Sequence, residues 1–163
     1  MKTLLLASIL IACRQPSSAS TSTTWRELSV GVTDCHVDAT PGDGIDDRAA
    51  LQEALDRGCA DLGPGDFEIV TPPDRIGIGS LGIIKLVAGS TLRGAGPSTV
   101  LKFSGDCNHT DWSGLYINSD DVMISDLTLD TSDLANTEEQ THAVNVKGPA
   151  AHLTIDSVWF RHP

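Results

Sequence analysis

Two segments near the end of the chain, VMISDLTL at residues 122–129 and LTIDSVWF at residues 153–160, decide the fold. Aligned at an offset of 31 residues, they superpose Ile124 on Ile155 and Leu127 on Val158, which marks these positions as inward-facing core. The segment GLYIN at 114–118 recurs as AVNVK at 143–147. Short strands that recur with a period of about 20–50 residues are typical of a solenoid. A sandwich with two similar hairpins is the alternative, but it does not require the same apolar spacing after the polar stretch 130–141.

Upstream of this repeat, the sequence predicts one helix followed by short strands. Asp46 or Asp47 can cap a helix whose apolar positions lie between Ala49 and Leu55, and Gly58 ends it. Runs rich in apolar and β-branched residues then alternate with Gly, Pro, Asn and Asp, which predicts strands at 67–70, 82–87, 90–94, 98–103 and 114–118. The pattern indicates an all-β domain that begins with a helix.

Three motifs in this order carry a family resemblance: GDGIDDRAALQEAL at 42–55, PGDFEI at 64–69 and LVAGSTLRGAGPSTVLKF at 86–103. They resemble the opening of the pectate-lyase-like superfamily, specifically the N-terminal segment of its rhamnogalacturonase and epimerase type. The resemblance implies a right-handed parallel β-helix with an N-terminal capping α-helix, and activity on polysaccharides or pure binding. Two departures are Phe67 in place of a tyrosine and the stretch 59–62 in place of a glycine pair. Because relatives continue for more coils, we expect a solenoid that is truncated at the C-terminus.

The first 24 residues read as a leader and a linker. An apolar stretch at 3–12 has the length of a signal-peptide core and ends in LIAC, which resembles a bacterial lipobox. We therefore expect a signal peptide at 1–12, acylation of Cys13, a Ser/Thr-rich linker at 13–24 and the folded domain at 25–163. The implied location is the bacterial cell envelope, with lipid anchoring as the only membrane contact. The alternative is an ordinary secretory signal in which Cys13 is incidental.

Charge and cysteine content limit the partners of the protein. Its 163 residues carry a net charge of −11, which opposes binding to nucleic-acid phosphates. In an exported chain, a disulfide between Cys35 and Cys59 would tie the helix to the segment before it, although the sequence does not fix the connectivity. We expect no metal and no cofactor, because the aspartates of 43–47 do not have the spacing of a calcium loop.

The repeat predicts a candidate binding surface. At the same register it places Thr128 beside Trp159 and Asp130 beside Arg161. An exposed tryptophan next to a carboxylate and an arginine suits a sugar ring and its hydroxyl or carboxylate groups. The alternative is that Asp130 and Arg161 form a surface ion pair of little energetic consequence, and that Trp159 covers a loop.

The sequence supports catalytic residues less well than it supports the binding surface. A glycosidase needs two carboxyl groups about 5–9.5 Å apart, for which Asp126 and Asp156 are candidates by proximity, whereas a lyase needs a base such as Arg161. The sequence gives no catalytic motif around any of them. Two function classes therefore remain: a polysaccharide lyase or glycoside hydrolase whose catalytic coils are missing from this chain, and a non-catalytic binding or structural module. Polysaccharide is the expected partner, with self-association through an uncapped last coil as a second expectation.

Overall fold

The computed structural model describes residues 34–71, 82–106, 112–135, 141–148 and 150–161. The predicted signal peptide, the acylation site at Cys13, the linker at 13–24 and the remaining cysteine, Cys107, lie outside the described residues.

The described chain contains one helix and nine strands in an order that follows the predicted series. The helix α1 spans Arg48–Asp56. The strands are β1 Cys59–Asp61, β2 Gly65–Val70, β3 Ile84–Leu86, β4 Thr91–Arg93, β5 Thr99–Asp106, β6 Trp112–Ile117, β7 Met123–Ala135, β8 Thr141–Val146 and β9 Thr154–Arg161.

The strands form two flat parallel sheets of unequal size, and the predicted β-helix solenoid is wrong. Six strands form one sheet in the order β1-β4-β7-β5-β2, with β9 paired to β7, and β3, β6 and β8 form the other sheet. The 13-residue β7 pairs with β4 over 123–125, with β9 over 123–130 and with β5 over 128–135. Strand β7 continues through Asp130, although the sequence analysis places the start of a polar stretch at this residue.

Both sheets contribute to one apolar core. In the six-stranded sheet, the parallel pairing brings Phe67, Leu101 and Leu129 into one row, and all three are buried. Ile84, Leu115 and Ile117 from the three-stranded sheet belong to the same cluster. A side chain added at Gly114 of β6 would lie 3.0 Å from the ring of Phe103 on β5, so a glycine there lets the sheets approach closely.

The pairing of β7 with β9 has the same register as the 31-residue offset, with Ile124 opposite Ile155 and Leu129 opposite Phe160. Their burial differs, however. Ile124 is fully buried, whereas Ile155 is 43% exposed and Phe160 is 47% exposed. The expectation that Ile155 is a core residue is therefore wrong, because β9 pairs on one side only among the described strands.

A disulfide and an aspartate-rich turn fix the start of the described chain. Cys35 and Cys59 are joined by a disulfide, and the Asp61 N–H donates to the Cys35 carbonyl at 2.8 Å. In the turn before α1, Asp46 Oδ1 accepts a hydrogen bond from the Arg48 N–H at 3.1 Å. Asp47 occupies the N-cap position without a capping side-chain bond. Of the two candidate caps, it is thus the side chain of Asp46 that contacts the helix.

Candidate functional site

Polar side chains and one tryptophan share the surface of the six-stranded sheet that faces away from the core. We call this surface the outer face and define it by Lys102 of β5, Asp130 and Asp133 of β7, and Trp159 and Arg161 of β9. The parallel register sets Thr128 opposite Trp159 and Asp130 opposite Arg161. It also sets Lys102 opposite Asp130. Since alternate residues of a strand point to opposite sides of a sheet, these groups lie outside the row of buried Leu101 and Leu129.

β7 and β9 each have a backbone bend, at equivalent positions. The two bends determine which side chains of these strands lie on the outer face. Asp126 and Ser157 have φ values of 57° and 52°, in the left-handed region. Each lies between the paired positions Ser125–Asp156 and Leu127–Val158, so the two strands bend together and their register is kept. The bend interrupts the alternation of side chains, which leaves Asp156, Trp159 and Arg161 on the outer side and Ile155, Val158 and Phe160 on the core side.

The corner before β5 supports the same bend. The peptide at Gly94 lies so close to the carbonyl oxygen of Asp126 that no side chain fits there. The Gly96 N–H donates to that same carbonyl at 2.8 Å. The Thr128 hydroxyl donates to the Pro97 carbonyl at 2.9 Å, and Thr128 is buried. This corner therefore covers the segment of β7 that lies next to Trp159, but it does not cover the Trp159 ring.

Charges of alternating sign cross the outer face from strand to strand. The Lys102 Nζ lies 2.8 Å from Asp133 Oδ2 and 3.7 Å from Glu68 Oε1. The hydrogen bond to Asp133, followed by the attraction of Glu68, raises the pKa of Lys102 above its usual value. Next in the row, the guanidinium of Arg161 lies 3.8 Å from Asp130 Oδ2. Lys102 is therefore held by two carboxylates, whereas Arg161 is held more loosely.

Exposure separates the groups that can reach a ligand from those that cannot. The Arg161 side chain is 54% exposed and the Asp130 side chain is 11% exposed. Asp130 Oδ1 also accepts the Ser132 N–H at 3.0 Å, which fixes the carboxylate. Trp159 is 42% exposed. The ring and the guanidinium are thus the accessible parts, and Asp130 is the group that orients the guanidinium.

This arrangement can bind a flat molecule that has an apolar face and a polar rim. An aromatic ring supplies apolar contact area, and a guanidinium donates several hydrogen bonds to hydroxyl or carboxylate oxygens. The alternative assignment of Asp130 and Arg161 as a surface ion pair is compatible with their distance. Because the Arg161 guanidinium is exposed to solvent and lies 3.8 Å from Asp130 Oδ2, the pair contributes about 0–1 kcal/mol to stability.

The catalytic candidates Asp126 and Asp156 do not face each other in the pairing of β7 with β9. Asp156 lies opposite Ser125, and Asp126 occupies the bend position beside Ser157. The Ser157 hydroxyl is 3.4 Å from Asp156 Oδ1. The third candidate, Arg161, lies on the outer face as described. Asp126 and Asp156 are therefore diagonal neighbours across the paired strands β7 and β9.

The aspartates before α1 are engaged by backbone donors. Asp43 Oδ1 accepts the Ile45 N–H at 2.9 Å, and Asp46 Oδ1 also accepts the Val70 N–H at 3.1 Å. Asp47 Oδ2 accepts the Glu68 N–H at 3.1 Å. Among the residues that the structure describes, no group of three or more His, Cys, Asp or Glu side chains is arranged to hold a metal ion.

The sequence analysis did not identify Lys102 and Asp133 of the outer face, or Glu68 next to Lys102. The alternation of apolar and polar residues in 98–103 was a usable signal for Lys102, because Leu101 and Phe103 on either side of it are core residues. Asp133 had no such signal, since 130–141 lacks an apolar repeat. Its position depends on the pairing of β7 with β5, which shifts register between Lys102 and Ser104.

Comparison of the chain with protein-family models, with curated proteins and with solved structures finds no match. Over the part of the chain that the structure describes, no helix has the length and apolar character to cross a membrane.

Proposed function

We propose that this protein binds polysaccharide through its outer face, with Trp159 as the apolar platform and Arg161 as the polar contact. The observation that carries the proposal is the side-by-side placement of an exposed indole and an exposed guanidinium on one edge strand. A sugar ring offers an apolar face to the indole and hydroxyl groups at its rim to the guanidinium.

The surrounding charges favour a defined orientation of the bound sugar. Asp130 is fixed by the Ser132 N–H and directs Arg161 from the next strand. Lys102 is already engaged by Asp133 and Glu68, so it contributes less to a ligand than Arg161 does. The proposed contact is therefore centred on β9, with β7 as its support.

The proposal is for binding and includes no catalytic step. A polysaccharide lyase or glycoside hydrolase remains the second function class, as expected from the motif resemblance. Its catalytic candidates are Asp126 and Asp156, which lie at the bend that β7 and β9 share. We further propose that the protein is exported and held at the bacterial cell envelope by lipid on Cys13.

The test is binding of the purified chain to neutral and uronate-containing polysaccharides, measured by titration calorimetry or affinity electrophoresis. We expect Trp159→Ala to weaken binding at least tenfold, because it removes the ring, and Trp159→Phe to retain part of the affinity. Ile45→Ala is the matched control, since Ile45 is 65% exposed in the turn before α1.

Assays for new reducing ends and for unsaturated products accompany the titration. Binding that is equal in the wild type and Trp159→Ala would refute the platform. Turnover that is lost in Asp126→Ala or Asp156→Ala would refute the proposal of binding alone and favour the enzyme class.

A further inference from the structure

The charged side chains around Trp159 include more carboxylates than cations. Lys102 and Arg161 are the two cations of the outer face. The carboxylates on the same side of the sheet are those of Glu68, Asp130, Asp133 and Asp156. The whole chain also has a net charge of −11. A negative potential at this surface opposes the approach of an anionic polymer, whereas it does not repel an uncharged one.

Both cations of the outer face already lie near carboxylates of the protein. The Lys102 Nζ is 2.8 Å from Asp133 Oδ2 and 3.7 Å from Glu68 Oε1. The Arg161 guanidinium is 3.8 Å from Asp130 Oδ2, and the Asp130 side chain is only 11% exposed. A ligand carboxylate that drew the guanidinium away would deprive this nearly buried carboxylate of a cation, which is unfavourable. Neither cation is therefore available to an anionic ligand without a cost in free energy.

The polar groups beside the Trp159 ring suit the hydroxyl groups of a sugar. A hydroxyl both donates and accepts hydrogen bonds, whereas an ionised carboxylate only accepts them. Arg161 supplies donors, and the exposed Asp156 supplies acceptors on the same side of β9. The bend at Ser157, with a φ of 52°, keeps Asp156 on that side. Hydroxyl groups can thus bond to both side chains, whereas a ligand carboxylate is attracted by Arg161 and repelled by Asp156.

We propose that the polysaccharide bound at the outer face is uncharged, and that Asp130 and Asp156 are specificity-determining residues that exclude polyuronates. This inference rests on the proposed function and names the substrate class of the same site. Asp130 acts by occupying the Arg161 guanidinium, and Asp156 acts by repelling a carboxylate on the bound sugar. The Trp159 ring offers apolar contact to charged and uncharged sugars alike, so the selection between them comes from the two aspartates.

The test compares polymers that differ only in the charge of their sugar units. Polygalacturonate, polyglucuronate and polymannuronate are each titrated into the purified full chain, beside the same polymer with its carboxyl groups reduced to alcohols. We expect a reduced polymer to bind about tenfold more tightly than its uronate parent, because like charges placed together at an interface are unfavourable. The affinity for the uronate parent should rise between about 0.01 M and about 0.15 M salt, since the screening length falls from about 30 Å to about 8 Å.

Two variants test the role of the aspartates, Asp130→Asn and Asp156→Asn, each of which removes one negative charge and keeps the shape of the side chain. We expect Asp130→Asn to raise the affinity for the uronate parent relative to the reduced polymer about tenfold, because Arg161 is then released to bind a ligand carboxylate. Asp156→Asn should change the same ratio in the same direction by a smaller factor. Since Asp156 is exposed, this second variant tests the proposal even if Asp130→Asn disturbs the fold.

Asp38→Asn is the matched control, because it removes the same charge from an exposed residue outside the sheets. It should keep the wild-type ratio of the two affinities. A uronate parent that binds more tightly than its reduced form, an affinity for it that falls with added salt, or an unchanged ratio in both variants would overturn this inference. Each of these results would leave the proposed binding through Trp159 intact. Absence of binding to every polymer would instead refute the proposed function, and this inference with it.

Discussion

At the scale of single residues, Asp47 combines burial with acidic neighbours. Its side chain is almost fully buried, and Asp43, Asp46 and Glu68 lie close enough to disfavour a further negative charge. Burial is the main cause that raises the pKa of Asp47 above its ordinary value of 3.8, while the hydrogen bond from the Glu68 N–H acts in the opposite direction. The folded state therefore binds the Asp47 proton more tightly than the unfolded state does.

This difference predicts a pH-dependent stability. As the pH rises above 3.8 through the raised pKa of Asp47, the folded state holds more protons than the unfolded state, so the free energy of unfolding decreases. Asp47→Asn keeps a side-chain oxygen that can accept the hydrogen bond from the Glu68 backbone N–H. The substitution removes the negative charge of the carboxylate. We expect the variant to lack this decrease and to equal or exceed the wild type in stability at neutral pH, measured by urea unfolding across a pH series.

The control for Asp47→Asn is Asp38→Asn, at an exposed position. It should leave the pH profile of the wild type unchanged. A variant at Asp47 that is less stable than the wild type at neutral pH would contradict the prediction. Such a result would mean that attraction to the N-terminus of α1 outweighs the cost of burying the carboxylate.

Part of the candidate site was predictable residue by residue. The pairs Thr128–Trp159 and Asp130–Arg161 follow from the 31-residue offset, because parallel strands with the same apolar spacing align their polar positions as well. The engagement of Lys102 by Asp133 was not predictable. It requires the register shift between β5 and β7, which no local pattern in 130–135 signals.

At the scale of elements, the helix and most strands were predictable because their signals are local. Helical spacing of apolar residues and a following glycine place α1, and alternation places β2, β5 and β6. Strand β1 was missed because its three residues are too short for a period to be recognised. Strand β7 extends to Ala135 through pairing with β5, which is a tertiary effect.

The contrast between β7 and β9 predicts different costs for the same substitution. Ile124 and Ile155 are paired in register, but only Ile124 is fully buried. A buried unpaired charge costs several kcal/mol, which is comparable with a total stability of about 5–15 kcal/mol. We expect Ile124→Asp to unfold the domain and Ile155→Asp to lower the free energy of unfolding by about 1 kcal/mol.

The measurement for this pair is denaturant unfolding at low protein concentration. Ile124→Val and Ile155→Val serve as conservative controls and should both remain folded. Equal losses from the two aspartate substitutions would mean that β9 is as buried in solution as β7, which contradicts the described exposure.

At the scale of the whole molecule, a repeat in sequence specifies less than a complete architecture. The shared apolar spacing of 122–129 and 153–160 determines that β7 and β9 pair in parallel and in register. It does not determine how many strands join each sheet or how long each strand is. The solenoid prediction rested on the recurrence of short strands, whereas β7 has 13 residues and pairs with β4, β5 and β9 at different positions.

The leader and the folded domain together predict how the molecule is held in a cell. The chain has a net charge of −11, so the anionic membrane surface repels it. Charge therefore does not favour attachment, and the proposed anchor is lipid. A single acyl chain gives only marginal binding, whereas the several chains implied by the lipobox resemblance would hold a protein stably. In a bacterial host, we expect the wild type to partition into the detergent phase and Cys13→Ala to be released into the aqueous phase or to remain uncleaved. Cys107→Ala is the control and should partition like the wild type, because the lipobox resemblance implies acylation of Cys13 alone. Equal partitioning of the wild type and Cys13→Ala would exclude the anchor and leave an ordinary secretory signal as the explanation of the leader.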